Sequence, residues 1–320
     1  MRTIAVVTSG GDSPGMNAAI RAVTRVGYSN NLEVLGFEDG WEGIITSKFR
    51  KLTPRNVGGI IQLGGTILHT SRCLEFKKKD SLEKAAETLA HNKVDGLVVI
   101  GGDGSLRGAL ELSKKTDTSI VGVPASIDND VYGTDETIGF DTAANTALTE
   151  IDKIRDTAIS HERVFIVEVM GRTRGFLAST VGLTVGAEII LVPEVKYEEE
   201  KIFRTIRENK LKGKKSGIIV AAEGIGDTRM LAQEIERKTG SEARLSTLGY
   251  VQRGGSPTAR SRLLASLFAS KAVELLVDRD GNRVVGLQKG KVANISLELS
   301  CETEKTLDLD LLKLADVLAT

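Results

Sequence analysis

Leu97-Val98-Val99-Ile100-Gly101-Gly102-Asp103-Gly104-Ser105 joins an apolar, β-branched run to a glycine-rich turn, and a helix-like segment follows. The apolar part predicts a strand buried on both faces, as in a parallel sheet. The glycines let backbone N–H groups approach an anion with no side chain in the way. Asp103 among them can hold a hard cation such as Mg2+ through oxygen. Such a loop suits a metal-bound polyphosphate. The N-terminus repeats the pattern, since the run Thr3–Thr8 ends in Ser9-Gly10-Gly11-Asp12-Ser13-Pro14-Gly15. Two such turns at strand carboxyl ends fall where open α/β sheets bind ligands.

Outward from these turns, apolar runs alternate with amphipathic stretches. Strands are expected near Thr3–Thr8, Glu33–Phe37, Gly96–Ile100, Ser119–Val123, Arg163–Val169, Ile189–Val192 and Gly217–Ala221. Helix-length segments include Asn17–Ser29, Asp80–Asn92 and Thr142–Ile159, and Tyr197–Asn209 reads as a solvated helix. The alternation predicts βαβ units and a mainly parallel, doubly wound sheet. With 320 residues, the chain is long enough for two domains of roughly 150 residues each, and a boundary is expected near Gly139. Lys plus Arg number 43 and Asp plus Glu 43, so bulk charge does not point to nucleic acid. No apolar run is long enough to span a membrane and no signal segment opens the chain, so the expected location is the cytoplasm. Cys73 and Cys301 make neither a disulfide framework nor a zinc pattern, and the three histidines lack metal-ligand spacing. The charge run Glu302–Asp310 reads as solvated surface.

Four further loops carry chemistry. In Ser126-Ile127-Asp128-Asn129-Asp130, after a strand, two carboxylates lie two residues apart. In an extended segment both face one way, so one can accept a proton and the other sit near a metal. The bland alternative is an Asx-rich turn. Arg72 follows Thr70-Ser71, and a surface ion pair is the bland reading there. Met170-Gly171-Arg172-Thr173-Arg174-Gly175, again after a strand, suits bidentate phosphate recognition. Gln252-Arg253-Gly254-Gly255-Ser256-Pro257 adds arginine, with Arg244 just before it. So many arginines around one site point to two anions, a nucleotide tail and a phosphorylated acceptor.

Taken together, Ser9–Arg21, the Ile100–Ser105 turn, Ser126–Asp130, Gly139–Ala143, Ile151–Ala158, Glu168–Arg172, Ala221–Gly224 and Gln252–Pro257 resemble the bacterial ATP-dependent 6-phosphofructokinase family along essentially the whole chain. The resemblance implies two similar doubly wound three-layer α/β/α domains with mainly parallel sheets. An ATP-binding domain would take 1–138 plus about 251–301. A domain for fructose 6-phosphate would take about 139–250 plus 302–320. The activity implied is transfer of the ATP γ-phosphoryl group to the sugar 1-hydroxyl, with Mg2+, in a cytoplasmic homotetramer of glycolysis under allosteric control.

Residue by residue, the resemblance implies that Gly11, Arg72, Cys73, Gly102, Gly104 and Ser105 bind ATP, with Asp103 on Mg2+. Asp128 would take the proton and Asp130 would assist. Ser126 would contact the transferring group, Arg172 would stabilise the transition state, and Arg72 would be catalytic as well. Ile127, Met170, Gly171, Glu223, Tyr250 and Arg253 would hold the sugar phosphate, joined by Arg163 and Arg244 from a neighbouring subunit. A second anion pocket between subunits, answering to ADP or GDP and phosphoenolpyruvate, would use Arg21, Arg25, Arg155 and Gly186. Glu188, Lys212, Lys214 and Lys215 would complete it. Pyrophosphate-dependent relatives typically carry Asp at position 104 and Lys at 125, and Gly104 and Ala125 here imply ATP.

The chain departs from the family's pattern at several positions. Tyr250 stands where His is usual, which leaves a kinase for another sugar phosphate, such as tagatose 6-phosphate, as a rival. Trp41 replaces Tyr and is expected to stack on adenine. Phe176 and Ser261 replace acids, which leaves a sensing subunit of the same fold with little catalysis as a second rival. Pro54, Gly58 and Ser216 alter the effector pocket.

Overall fold

Ile4 and Val6 point to one face of a strand and Ala5 and Val7 to the other, and both faces are buried. Leu97 and Val99 share the face of Ala5, while Val98 and Ile100 share that of Ile4. This two-sided burial makes such strands continuous apolar runs. The computed structural model describes residues 1–71 and 73–319, with Lys77 by its backbone alone.

In chain order the strands are β1 (Thr3–Ser9), β2 (Glu33–Phe37), β3 (Phe49–Leu52), β4 (Gly96–Gly101), β5 (Ser119–Ser126) and β6 (Ile138–Gly139). They continue as β7 (Val164–Val169), β8 (Ile189–Leu191), β9 (Gly217–Ala222), β10 (Ala243–Thr247), β11 (Arg283–Gln288) and β12 (Lys291–Ser296). Each strand expected from the sequence forms, and β3, β6, β10, β11 and β12 are additional. The solvated helix begins at Glu199, not Tyr197, and runs to Leu211.

The described residues divide into two compact units. The first takes Met1–Thr142 and Arg253–Lys305; the second takes Ala143–Gln252 and the chain from Thr306. In the first unit the sheet order is β12-β11-β5-β4-β1-β2-β3, with β6 beside β5. Only β2–β3 and β11–β12 pair antiparallel among its described ladders. The helices Met16–Ser29 and Ala259–Val277 cover one face through Met16, Ile20, Leu264 and Phe268. The helices Lys79–His91 and Asp103–Ser113 cover the other through Leu82, Leu89, Leu106 and Leu112.

In the second unit the order is β10-β7-β9-β8, all parallel. The helices Glu199–Leu211 and Thr228–Thr239 bury Phe203, Ile206, Leu231 and Ile235 with Ile219 and Leu191. On the opposite face, the helix Phe176–Thr184 approaches so closely that a side chain at Gly182 would meet Ile190. Asp227 caps the Thr228–Thr239 helix by accepting from the backbone N–H groups of Arg229 and Met230. Each unit is thus three layers, with the sheet in the middle. Among the described residues no helix is long and apolar enough to cross a membrane.

One motif contact fixes the first unit. The Ser13 hydroxyl donates to the Ile138 carbonyl at 2.6 Å in a buried position. Gly139 follows with φ +99°, and a Cβ there would overlap the Ser13 hydroxyl. Gly139→Ala is therefore expected to cost about 2–4 kcal/mol through backbone strain and overpacking. That corresponds to a fall of about 5–10 °C in the melting temperature of the purified protein. Gly104→Ala, with nothing within 4 Å of its added Cβ, is the matched control. An unchanged melting temperature for Gly139→Ala would contradict this account.

Candidate active site

In the first unit the carboxyl ends of β1, β4 and β5 carry the three motif turns. Strand β4 closes on Gly101, where a Cβ would press on the Ser9 carbonyl and the Ser105 side chain at 2.6–2.7 Å. Gly10, at φ +88°, is likewise against the Ser105 hydroxyl. The glycines therefore let the first and fourth strand ends touch. Gly102 caps the helix Asp103–Ser113, whose amino end favours negative charge. Ser105 is buried, whereas Gly104 looks onto open space. A Cβ at Gly11 would lie 3.5 Å from the Arg253 guanidinium, so the residue expected at ATP and one expected at the sugar are neighbours. Thr70 donates to the Gly10 carbonyl at 2.9 Å and fastens the chain leading to Cys73, which is half-buried at the start of a short 3-10 turn. Arg72 lies outside the described residues.

The Asp103 carboxylate accepts from Arg107 Nε at 2.9 Å, one helical turn on, and its side chain is 35% exposed. The carboxylate raises the Arg107 pKa through that hydrogen bond. Among the described residues no group of three His, Cys, Asp or Glu side chains converges as a metal cage. Mg2+ is bound through one or two carboxylates with phosphate oxygens and water completing its shell, so an accessible Asp103 carboxylate at a phosphate-cradling turn fits it.

Strand β5 delivers Ser126 next to Gly102, whose added Cβ would lie 3.4 Å from the Ser126 Cβ. The Ser126 hydroxyl accepts the Asp128 backbone N–H at 3.1 Å and reaches Asp130 Oδ1 at 3.5 Å. Asp128 is 4% exposed, and Ile127 turns its side chain into the core. The expected extended backbone fails here. Asn129 takes φ +54°, so the link between the two acids is the serine hydroxyl and not strand geometry. The Asn129 side chain in turn accepts the Thr137 N–H at 3.0 Å and donates to the Asp135 carbonyl at 3.2 Å. Trp41 also differs from expectation. It is 4% exposed and stacked on Phe76 at 4.2 Å between ring centres, so its ring face is taken within the protein.

In the second unit β7 leads directly into Met170, Gly171 and Arg172. Gly171 has φ +138°, and a Cβ there would press on the Arg174 carbonyl at 2.5 Å. The Arg172 N–H donates to Glu223 Oε1 at 2.6 Å. Gly224 lies so close that a side chain would overlap the Arg172 carbonyl. The Met-Gly-Arg turn and the Glu223 loop are therefore locked together, with Arg172 exposed and Met170 buried. Arg163 Nε pairs with Glu242 at 2.8 Å, and Arg244 pairs with the same carboxylate and with Glu236 at 3.1 Å. The Arg163 guanidinium beside it holds the Glu242 carboxyl below its usual range. Tyr250 is 76% exposed.

A family model described as phosphofructokinase matches residues 3–276. The chain belongs to the phosphofructokinase family. It is 49% identical over 319 residues to the ATP-dependent 6-phosphofructokinase of Clostridium botulinum strain Hall, covering 100% of both chains. The phosphofructokinase structure from Saccharomyces cerevisiae superposes with a TM-score of 0.88 at 34% identity. There the match covers 94% of this chain and 45% of the yeast chain, so this chain spans less than half of that relative. A pyrophosphate-dependent phosphofructokinase from Marinobacter aquaeolei shares the fold, with a TM-score of 0.86 at 20% identity over 98% of this chain and 91% of that one.

The remaining family positions fall in two places. In the second unit Arg155 donates to the Val185 carbonyl beside Gly186, which has φ +62°. Glu188 pairs with Lys214 at 2.6 Å and accepts the Ile218 N–H at 2.5 Å, and Lys215 pairs with Glu162 at 2.8 Å. Glu188, Lys214, Lys215 and Ser216 line one recess, and Lys212 ends the helix beside them. Arg21 and Arg25 lie on the Met16–Ser29 helix of the first unit. Ser261, where the family has an acid, is buried and accepts from the Thr142 hydroxyl at 2.8 Å, while Thr258 donates to Asp141. Asp141, far from Ser261 in the chain, thus brings an acid to this corner. Phe176 is buried at the start of its helix.

Three partners have no place in the motifs: Arg107 on Asp103, Glu242 between Arg163 and Arg244, and Thr137 on Asn129. Only the first has a sequence signal, an arginine four residues after an aspartate on one helix.

Proposed function

We propose that this chain transfers the γ-phosphoryl group of ATP to the 1-hydroxyl of fructose 6-phosphate, giving fructose 1,6-bisphosphate and ADP. One observation carries the reading. Gly102 of the phosphate-cradling turn abuts Ser126, whose hydroxyl holds the Asp128 backbone. A nucleotide cradle and a buried carboxylate base are thereby built into one rigid corner. Phosphoryl transfer needs positioning and charge neutralisation more than covalent chemistry, and this corner supplies both.

The Gly102–Gly104 amides and the helix end bind the phosphates. Asp103 would hold Mg2+, which neutralises charge on the nucleotide when bound. Asp128 accepts the proton of the sugar 1-hydroxyl as that oxygen attacks phosphorus, and ADP leaves. Ser126 keeps the acceptor side in register, and Arg172 offsets the charge that develops. Met170, Gly171, Glu223, Tyr250 and Arg253 hold the sugar phosphate, Ile127 through its main chain. The pairing of Arg163 and Arg244 on Glu242 supports an anion site lent to a neighbouring subunit of a tetramer. In this reading the first unit serves ATP and the second the sugar phosphate. The Glu188 recess would serve phosphorylated effectors once Lys214 releases its carboxylate. The cytoplasm is the proposed location.

ADP release from protein mixed with Mg-ATP and fructose 6-phosphate tests the whole reading. Turnover is expected with ATP and not with pyrophosphate. Turnover with pyrophosphate alone would overturn the donor assignment. Faster turnover with tagatose 6-phosphate would move the acceptor, a change that the exposed Tyr250 is placed to cause.

A further inference from the structure

The loop that carries Asp128 and Asp130 is held from behind by the last residues of the first unit. The Ser300 hydroxyl donates to the Tyr132 carbonyl at 2.8 Å. Leu287 donates to the Thr134 hydroxyl at 2.9 Å, and the Lys289 N–H to the Asp135 carboxylate at 2.7 Å. Lys305 then reaches in and donates from Nζ to the Asp135 carbonyl at 3.1 Å. That carbonyl is the one gripped by the Asn129 side chain, and Asn129 sits between the two acids. Through this shared acceptor Lys305 is one hydrogen bond removed from the turn that sets Asp128.

We propose that Lys305 is a positioning residue for phosphoryl transfer, fixing the Asp128–Asp130 turn through the Asp135 carbonyl and the Asn129 amide. The inference rests on the reading of Asp128 as the base.

Burial opposes the charge on Lys305. Lys305 is half-buried, and burial pushes its ammonium down to about 8 from 10.5, against the pull of Asp135, Asp130 and Glu136. A lysine whose folded value lies below its unfolded one binds fewer protons folded than unfolded between the two. Its charge therefore costs stability below pH about 8, and the cost fades as pH rises toward 10.5. When the amine is removed, the Asp135 carbonyl keeps the Asn129 donor.

The test compares full-length Lys305→Met, Lys305→Arg and Asp128→Ser with the parent. Lys305→Met is expected to lower kcat at least 10-fold, to leave KM for ATP and fructose 6-phosphate within threefold, and not to lower the melting temperature at pH 7. Lys305→Arg is expected to restore kcat to within threefold. A Lys305→Met kcat within twofold of the parent overturns the proposal. So does a kcat loss that follows a fallen melting temperature and that arginine does not rescue. If Asp128→Ser keeps parental kcat, the base assignment itself falls. If Asp128→Ser is inactive while Lys305→Met is normal, only the role of Lys305 falls.

Discussion

Asp128→Ser is expected to lower kcat about 100- to 10,000-fold, the contribution of a positioned general base, while the protein folds and binds ATP as before. The structure says why the loss should be confined to chemistry. Asp128 is buried, but its turn is set by its backbone N–H on Ser126 and by the Asn129 side chain on Thr137 and Asp135. None of those bonds uses the Asp128 carboxylate. Serine is smaller and polar, so the site keeps its shape without a group able to take the sugar proton. Steady-state kinetics with a nucleotide-binding titration check this. An equal loss in kcat and kcat/KM marks an interaction made only in the transition state, and a variant within tenfold of the parent kcat would remove Asp128 from the role.

Gly104→Asp should be the second large effect, and it isolates the donor. A Cβ at Gly104 meets nothing within 4 Å, so the protein itself accepts a side chain there. The position lies in the first turn of the Asp103–Ser113 helix, where an acid favours the fold. The penalty therefore falls on the ligand. A unit charge about 4 Å from a phosphate oxygen costs about 4 kcal/mol at an effective dielectric of about 20. Part of that is offset by Mg2+ and neighbouring cations, so kcat/KM for ATP should fall on the order of 100-fold. Gly104→Ala should stay within about threefold, because bulk without charge has room. Parental use of ATP by Gly104→Asp, measured as ADP release, would show that the nucleotide phosphates do not pass this residue.

The central architecture was legible because β1, β4 and β5 are buried on both faces and so read as unbroken apolar runs. The strands that escaped are at sheet margins or leave their neighbours early. Phe49-Arg-Lys-Leu52 and Lys291–Ser296 are the two ends of the first sheet, and Ala243–Thr247 is an end of the second. Each has polar residues where only one side is covered. Strand β11 stays with β5 for only two residue pairs, at Arg283 and Val284. The site shows the same division. Glycine turns after strands announce themselves because the backbone demands them. Lys305 and Glu242 escape notice because the groups they hold are brought near by the fold and not by spacing. The Asp-Asn-Asp turn was legible as a place but not as a shape, since a left-handed Asn129 cannot be inferred from an extended register.

Neither unit is continuous in the chain, and this governs the order in which the protein can form during synthesis. Strand β5 has β4 on one side and the short β6 at its end, but β11, which covers its other edge, begins at Arg283. The Met16–Ser29 helix waits for its packing partner, Ala259–Val277. The second unit waits longer, because the helix Asp310–Leu318 packs on Phe176–Thr184 and β8. A nascent chain that has emerged through Gln252 thus holds two unfinished cores and an open sheet edge. Folding one domain after another from the amino end is closed to it, and neither core is sealed until the segments beyond Ala259 have been made.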